Sequence, residues 1–484
     1  MRTTMKRIIS VILTIIVIFS MIPASVFCAS AETTVSGTCG ENAKWSYDAS
    51  TFTITISGTG DMNNFSMIDN VTNVPWTNNI KVGSIKRVVI KNGITSIGSY
   101  TFFNCSELSN ISIPNSVKSI GTNAFDNCRS LKSVEIPDGV KEIGDGAFWQ
   151  CSLTSISIPN SVTSIGKYAF WGCRDLISIT IPDSVSFIGV CALADCHALT
   201  IINVESGNPR YHSSGNCIIK TDAKALVAGC NTSIIPTDGS VTSICDYAFY
   251  NCCSLTSISI PECVTNIGYR AFWGCYSLKS ISIPNSVTSI GESAFCGCSS
   301  LTSVSIPEGV TCIGNDTFSG CSSLTSITIP DSVINIGEDA FRRTGLTSVT
   351  IGEGVTRIGE GAFFGCTSLT SIMIPNSVSF IGTCAFNDCS NLLEMNVASG
   401  NGTYYSKDNC IIETMEKTIA FGCNSSIIPT DGSVTKIGEF AFSWCDGLTN
   451  IVIPNSISYI DNFAFSNCRR LNSVIIQNGV ESIG

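Results

Sequence analysis

Cysteine is the residue type that could support the most chemistry in this chain, because 26 of the 484 residues are cysteine. Thiols can form disulfides, bind metals or act as nucleophiles. One set recurs at a fixed position, three residues after a phenylalanine in almost every copy. This row comprises Cys105, Cys128, Cys151, Cys173, Cys196, Cys252, Cys275, Cys298, Cys321, Cys366, Cys389, Cys445 and Cys468.

The regular spacing of this row argues against paired disulfides. Cysteine-rich exported chains usually contain disulfides, but one cysteine per repeat gives parallel side chains that suit the bond poorly. We therefore predict that the row is structural and consists of buried thiols that pack as small apolar groups. Two further pairs, Cys217/Cys230 and Cys410/Cys423, recur in matching segments and are the candidates for disulfides. No second ligand pair converges on any of them, so we predict no metal site.

Catalytic motifs are missing from the rest of the sequence. The two histidines, His197 and His212, belong to no nucleophile–base–orienter arrangement that the spacing indicates. The carboxylates are scattered, which gives no basis for a glycosidase pair. No phosphate-binding loop or dinucleotide fingerprint occurs. We predict a non-enzymatic protein without a cofactor.

Four aromatic residues are the candidates for ligand binding. Trp149 and Trp171 occupy the same repeat position in adjacent units, and Tyr250 and Trp273 do so further along. Stacked rings at a surface corner can hold a sugar or a partner protein. The alternative is that each ring packs on the next unit of the repeat.

The repeat is marked by an Ile-Gly pair that recurs every 22 or 23 residues. In one unit, Leu301 and Ile306 point to one side of a short strand while Ser303 and Ser305 point to the other, and Pro307 ends the strand. The outward hydroxyl groups are either a solvated face or a broad recognition surface. No unit can bury its own apolar side, but stacked units can. We predict a mainly β solenoid of 23-residue coils, about fifteen turns long, with a parallel sheet and little helix.

Two steps of 56 residues interrupt the period and indicate matching insertions, about 205–235 and 398–428. Each reads as strand, turn, strand, which predicts a β-hairpin. We expect the hairpins to protrude from the rod, either as binding loops or as structural braces.

The pattern Leu-x-x-Ile-x-Ile-Pro-x-x-Val-x-x-Ile-Gly-x-x-Ala-Phe-x-x-Cys over roughly 85–484 resembles the BspA-like class of leucine-rich repeats. The resemblance implies a right-handed solenoid with a parallel concave sheet. It also implies a secreted or surface-displayed protein that binds host or matrix components, and it brings no catalytic motif.

The two ends do not follow the repeat. Residues 1–31 have a basic start, an apolar stretch and the small residues Ala29 and Ala31, which predict a secretory signal peptide; a retained membrane anchor is the alternative. Residues 32–84 are predicted to be a β-rich cap, with a carbohydrate-binding module as the alternative. The chain stops within a unit at Gly484, so we expect the solenoid (85–484) to be incomplete.

Charge and composition limit the partners. The formal net charge is −10 and only 13% of residues are charged, which disfavours nucleic acid. No later stretch is apolar for long enough to span a membrane. We predict a secreted or cell-surface recognition and adhesion protein that binds protein or glycan ligands through its repeats. The alternative is a structural or targeting region of a larger surface enzyme or assembly.

Overall fold

The structure is a computed structural model that describes residues 35–68 and 71–484, so the predicted signal peptide lies outside the described residues. The described chain is built of short strands, with one 3-10 turn at Val82–Ser84 and no α-helix. About 17 stacked turns of about 23 residues form a solenoid, which confirms the predicted fold class.

Each coil contributes up to two strands. The first, here called the face strand, carries the alternating Ser/Thr pattern. The face strands are Arg87–Ile90, Asn110–Ser112, Ser178–Ile181, Ile201–Val204, Ser257–Ser259, Ser280–Ser282, Ser326–Ile329, Ser348–Ile351, Ser371–Ile374, Glu394–Val397, Asn450–Ile453 and Ser473–Ile476. They pair in parallel wherever neighbours meet, with Ile258 opposite Ile281 and Ser257 opposite Ser280.

The second strand, here called the return strand, ends at the Ile of the Ile-Gly pair. The return strands are Ile94–Ile97, Ser119–Ile120, Glu142–Ile143, Ser164–Ile165, Phe187–Ile188, Ser243–Ile244, Asn266–Ile267, Ser289–Ile290, Cys312–Ile313, Asn335–Ile336, Arg357–Ile358, Phe380–Ile381, Lys436–Ile437, Tyr459–Ile460 and Ser482–Ile483. Their isoleucines align in parallel register, as Ile244 and Ile267 do. Glycine follows all of these strands except two, where Cys245 and Asp461 occupy the position. The coils are close together here: a Cβ on Gly291 would lie 2.5 Å from the backbone nitrogen of Tyr269.

A column of phenylalanine rings fills the centre of the solenoid. Successive rings stack with centroids 4.9 to 5.7 Å apart, from Phe102 to Phe170, from Phe249 to Phe386 and from Phe442 to Phe465. Apart from the last, each ring is almost fully buried. Each coil therefore covers the ring of its neighbour, which no isolated unit could do.

The insertions do not protrude, so that prediction was wrong. Their strands are Tyr211–Ser214, Cys217–Lys220 and Ala225–Ala228 in the first copy, and Tyr404–Lys407, Cys410–Glu413 and Thr418–Phe421 in the second. Ala225–Ala228 pairs in parallel with the return strand Ser243–Ile244, and Thr418–Phe421 pairs likewise with Lys436–Ile437. Each insertion thus adds one turn to the stack.

The physical reason is that the hairpins are apolar on both faces. Cys217, Ile218 and Ile219 are consecutive and all fully buried. Ile218 packs with the core that precedes the insertion, whereas Ile219 packs with the core that follows it. The second insertion repeats this arrangement, so the apolar core consists of three clusters that meet at the two hairpins.

A tyrosine hydroxyl closes the return-strand ladder at each insertion. The backbone N–H of Ile188 donates to the Tyr211 hydroxyl over 3.1 Å, and that of Ile381 donates to Tyr404 over the same distance. Both tyrosines are buried. The hydroxyl therefore takes the place of the strand carbonyl that would otherwise accept this bond.

We expect Tyr404→Phe to lower the free energy of unfolding by about 1–2 kcal/mol, because it leaves the buried N–H of Ile381 without an acceptor. Urea titration followed by circular dichroism measures the loss. The control is Tyr405→Phe, which removes a hydroxyl that donates to the backbone of Ser433 from a half-buried position. Equal stabilities of the two variants would contradict this role.

The N-terminal strands cover the first coil. They are Val35–Thr38, Ala43–Asp48, Thr53–Gly58, Gly60–Asp61, Met67–Ile68 and Val71–Thr72. Thr53–Gly58 pairs in parallel with the first face strand. Trp76 is fully buried and stacks on Phe102 at 5.8 Å, while Trp45 is buried against Trp76. Neither indole is available to a sugar, which removes the basis of the carbohydrate-binding alternative for this region.

Candidate ligand-binding surface

The residue that follows each core phenylalanine forms an outer row along the solenoid. Trp149, Trp171, Tyr250 and Trp273 all occupy this row, and each is half-buried. The row is set by the coil geometry, because the preceding phenylalanine turns inward and the following residue turns out.

The structure brings all four predicted aromatic residues together. The ring centroids of Trp149 and Trp171 are 6.1 Å apart, those of Trp171 and Tyr250 are 4.8 Å apart, and those of Tyr250 and Trp273 are 4.7 Å apart. Trp171 and Tyr250 meet although the first insertion separates them in sequence. The coil between them has the small residue Ala194 in this row, so it does not separate the two rings. The backbone N–H of Asp195 in that coil donates to the carbonyl oxygen of Tyr250.

Three tyrosines extend the group. Tyr168 and Tyr247 lie two residues before the core phenylalanines Phe170 and Phe249, and Tyr269 lies three residues before Phe272. Together with the four predicted residues they form the aromatic cluster: Trp149, Tyr168, Trp171, Tyr247, Tyr250, Tyr269 and Trp273. Tyr168 lies 5.4 Å from Trp149, and Tyr247 lies 5.5 Å from Tyr250 and 5.4 Å from Tyr269. The repeat position that Tyr168 and Tyr247 share is visible in the sequence, but the contact of these tyrosines with the outer row is not.

The chemistry of the aromatic cluster is that of a neutral stacking surface. Burial raises the pKa of Tyr247 and of Tyr250 to about 12, so both phenols stay uncharged at neutral pH. The cluster offers ring faces together with phenol and indole hydrogen-bond donors. The guanidinium of Arg270 lies 4.9 Å above the Tyr269 ring. Such a surface suits the apolar faces of sugars and the aliphatic or aromatic side chains of proteins.

The second half of the solenoid has different chemistry at the corresponding place. The residues 193 positions after Trp149 and Trp171 are Arg342 and Phe364, and the guanidinium lies 4.4 Å above the phenylalanine ring. Phe364 contacts Trp444, over which Arg469 is placed at 5.1 Å. These two cation–π pairs replace the continuous row of rings, so the second half supplies an internal comparison for the first.

The face strands form a second accessible surface. Ser303 and Ser305 are exposed, as are the equivalent hydroxyls of many coils. A shallow groove of about 520 Å³ follows the first insertion, lined by serines of two face strands and by Ile234, which is 73% exposed. Ile427 is similarly exposed in the duplicate groove. Apolar side chains interrupt this surface outside the grooves as well, because Ile201, Met373 and Val452 of the face strands are exposed.

The cysteine row has a hydrogen-bonding role as well as a packing role. The thiol of Cys298 donates to the carbonyl oxygen of Phe272 over 3.2 Å, and that of Cys321 donates to Phe295 over 3.3 Å. Eight other thiols of the row make the same bond: Cys128, Cys151, Cys173, Cys196, Cys275, Cys366, Cys389 and Cys468. Only a reduced sulfur can donate in this way.

The four cysteines proposed for disulfides are buried thiols in the structure. Cys217 donates to the carbonyl of Gly215, whereas Cys230 donates to that of Asn216. Cys410 and Cys423 have the corresponding partners. Every described cysteine carries a free thiol, so disulfide formation at these two pairs on oxidation stays a prediction. The described residues contain no group of three side chains suited to hold a metal ion.

The family model for the BspA type leucine-rich repeat region, with six copies, matches residues 95–214, 223–344, 311–431 and 414–484. The chain belongs to the BspA-type leucine-rich repeat family. No curated protein sequence matches it significantly. The described part of the chain has no helix with the length and apolarity needed to cross a membrane.

Solved structures of bacterial leucine-rich repeat proteins are similar to this chain. One from Eubacterium ventriosum is 21% identical, with 93% of each chain covered and a TM-score of 0.46. A leucine-rich cell surface protein from Faecalibacterium prausnitzii is 26% identical over 75% of this chain and 95% of its own, with a TM-score of 0.48. A Bacteroides ovatus protein is 25% identical over 90% and 93%, with a TM-score of 0.43.

Proposed function

We propose that this BspA-type chain is a secreted or cell-surface recognition and adhesion protein without enzymatic activity, and that it binds a glycan or protein ligand through the aromatic cluster. The observation that carries the proposal is the set of seven contacting rings on one corner of the solenoid, four of them half-buried members of the outer row. Large aromatic side chains supply much of the energy of recognition where they are held in place before binding.

The placement of the aromatic cluster supports this role. The backbone beneath the rings is fixed by parallel pairing and by the phenylalanine column, so the rings need little ordering when a ligand binds. Their neutral phenols and the acidic character of the chain favour uncharged ligands over polyanions. Several rings along one axis also allow contacts with successive units of a polymer, which raises avidity.

We expect the double variant Trp171→Ala/Tyr250→Ala to weaken binding of the cognate ligand by about tenfold or more, because it removes the two central rings. A glycan array and a panel of matrix proteins, probed with the full secreted chain, identify the ligand. Biolayer interferometry then compares the affinities of the parent and the variant.

The matched control is Phe364→Ala/Trp444→Ala, which removes two rings from the second half of the solenoid. We expect this control to keep the parent affinity. Circular dichroism establishes that both variants remain folded. Unchanged binding by the Trp171/Tyr250 variant would contradict the proposed site, and equal losses in both variants would contradict its location.

A further inference from the structure

A notch lies in the surface of the solenoid directly beside the aromatic cluster. Its volume is about 220 Å³, which is smaller than the pockets of roughly 300–1,000 Å³ that enclose drug-sized ligands. The notch therefore suits a single small chemical group. The residues that line it are Arg129, Gln150, Cys151, Ser152, Gly172 and Arg174. Because Gln150 follows Trp149 and Gly172 follows Trp171, the notch begins one residue away from two rings of the cluster.

A coil that is one residue short opens the notch. In the next coil the core leucine lies three residues after the row cysteine, as Leu176 does after Cys173, but it lies only two residues after Cys151. The N–H of Leu176 donates to the carbonyl of Cys173 over 3.1 Å. Within the residues that the structure describes, the N–H groups of Ser152 and Leu153 donate to no backbone carbonyl. Since backbone N–H groups are seldom left unpaired, a group from outside the protein supplies their acceptors.

Two arginines lie on either side of the short coil. Arg129 and Arg174 each follow a row cysteine and are two coils apart, so their backbones are roughly 10 Å apart. The Nε of Arg129 donates to the side chain of Asn127 over 2.6 Å. Among the ion pairs of the described residues, none involves Arg129. Guanidinium groups present paired N–H donors that match the oxygens of carboxylate, sulfate and phosphate groups.

The carboxylate of Asp195 borders the notch and is shared by two cations. Its Oδ2 lies 3.4 Å from the position that a Cβ on Gly172 would take. It accepts hydrogen bonds from Arg174 over 3.0 Å and from His197 over 2.7 Å. The bond to Asp195 raises the pKa of His197 to about 9, so the imidazole is positively charged at neutral pH. These two cations together with Arg129 outnumber the one carboxylate, which favours an anion in the notch.

The duplicated half of the chain has the short coil without the two arginines. Thr344 takes the place of Cys151 in that coil. The residues 193 positions after Arg129 and Arg174 are Ser322 and Thr367. The arginines are therefore not required by the short coil, and the second half again supplies an internal comparison.

We propose that the notch binds one oxyanion group, a carboxylate or a sulfate, of a sugar residue that stacks on Trp149 or Trp171. This inference rests on the proposed function of the aromatic cluster, and it narrows the ligand to a largely neutral glycan that carries isolated acidic groups. Arg129 and Arg174 hold the oxygens of that group, and the amide of Gln150 and the free N–H groups of the short coil add donors. The net charge of −10 disfavours a glycan that is charged at every residue.

Sodium sulfate tests the oxyanion site by isothermal titration calorimetry of the full chain, at an ionic strength held constant with sodium chloride. We expect saturable binding of one ion, which Arg129→Gln/Arg174→Gln weakens about tenfold or more. The matched control is Arg342→Gln/Arg343→Gln, which removes the same charge from the second half and should keep the parent affinity. Circular dichroism establishes that the variants are folded. Arg129→Gln alone leaves the pairing of Asp195 intact and should still weaken binding about threefold or more.

A glycan array with matched neutral and acidic members tests the kind of ligand. We expect the member that carries a uronate or a sulfate to bind about tenfold more tightly than its neutral counterpart. Arg129→Gln/Arg174→Gln should remove this preference, whereas Trp149→Ala should weaken binding of both members and leave the binding of inorganic sulfate unchanged. Comparison of uronate with sulfate members shows which oxyanion the notch prefers.

The proposal is overturned if sulfate does not bind saturably, if the double arginine variant binds it like the parent, or if neutral and acidic glycans bind equally. It is also overturned if no glycan binds and a peptide with a free C-terminal carboxylate binds instead. Neutral glycans report on the aromatic cluster alone. Loss of the acidic preference would therefore contradict the notch and leave the cluster intact, whereas unchanged glycan binding by Trp171→Ala/Tyr250→Ala would contradict the cluster.

Discussion

Raising the pH from about 8 to about 10 in the presence of a reductant is expected to unfold the solenoid. Burial raises the pKa of nine consecutive thiols of the row above their ordinary value. These are Cys105, Cys128, Cys151, Cys173, Cys196, Cys252, Cys275, Cys298 and Cys321. The same thiols in the unfolded chain ionise near pH 9.

The sign of the effect follows from proton linkage. Above pH 9 the folded chain binds more protons than the unfolded chain, so its stability falls as the pH rises. Each thiol contributes a loss of about 1.4 kcal/mol at pH 10, and nine together exceed about 10 kcal/mol, which is comparable to the whole stability of many domains. Below about pH 9, where these thiols are protonated in the unfolded chain as well, the full free energy of unfolding is retained.

Circular dichroism in urea, measured at intervals from pH 7 to 10.5, records this loss as a falling midpoint. The comparison is the triple variant Cys275→Ala/Cys298→Ala/Cys321→Ala. We expect it to be less stable than the parent at pH 7 because of lost packing, yet to lose stability less steeply above pH 9 because three titrating groups are gone. A midpoint that stays constant from pH 8 to 10 would contradict the account of the row as buried thiols.

The second large effect concerns the phenylalanine column. Phe295→Ala is expected to lower the free energy of unfolding by about 4 kcal/mol. The ring is fully buried and stacks on Phe272 at 5.4 Å and on Phe318 at 5.5 Å, so its removal leaves a cavity that no neighbour can fill. Hydrogen exchange should rise mainly in the coils next to the substitution, because each coil contacts only its neighbours.

Phe463→Ala provides the matched control for this substitution. Phe463 also stacks on another ring, that of Phe440 at 5.1 Å, but its side chain is 61% exposed. We expect its loss to change stability by no more than about 0.5 kcal/mol. Similar losses in the two variants would show that ring stacking rather than burial stabilises the column.

The period of the sequence was sufficient to predict the architecture. Ile306 lies in the face strand and Pro307 ends it, the Ile-Gly pair ends the return strand, and the phenylalanine lies in the core. These features could be predicted because each one depends only on a local pattern that is repeated at a fixed step. The strand–turn–strand pattern predicts a hairpin but does not indicate whether the hairpin is buried, and this is why the predicted protrusion was wrong. The consecutive apolar residues Cys217, Ile218 and Ile219 already indicate a strand that is buried on both faces.

The candidate sites depend on which coils become neighbours, and this is harder to predict. Trp149 and Trp171 are one step apart, so their contact follows from the repeat. Contact between Trp171 and Tyr250 requires that the insertion leave this corner of the stack unbroken. Nothing in the local sequence specifies that path.

The two buried hairpins also affect how the chain responds to force. Because they separate the core into three clusters, tension applied at the ends can open one cluster while the others remain intact. A cluster of about 200 residues releases roughly 650 Å of extended chain when it opens. A chain built in this way lengthens in discrete steps and absorbs work during each rupture, a property that suits the adhesion role proposed above.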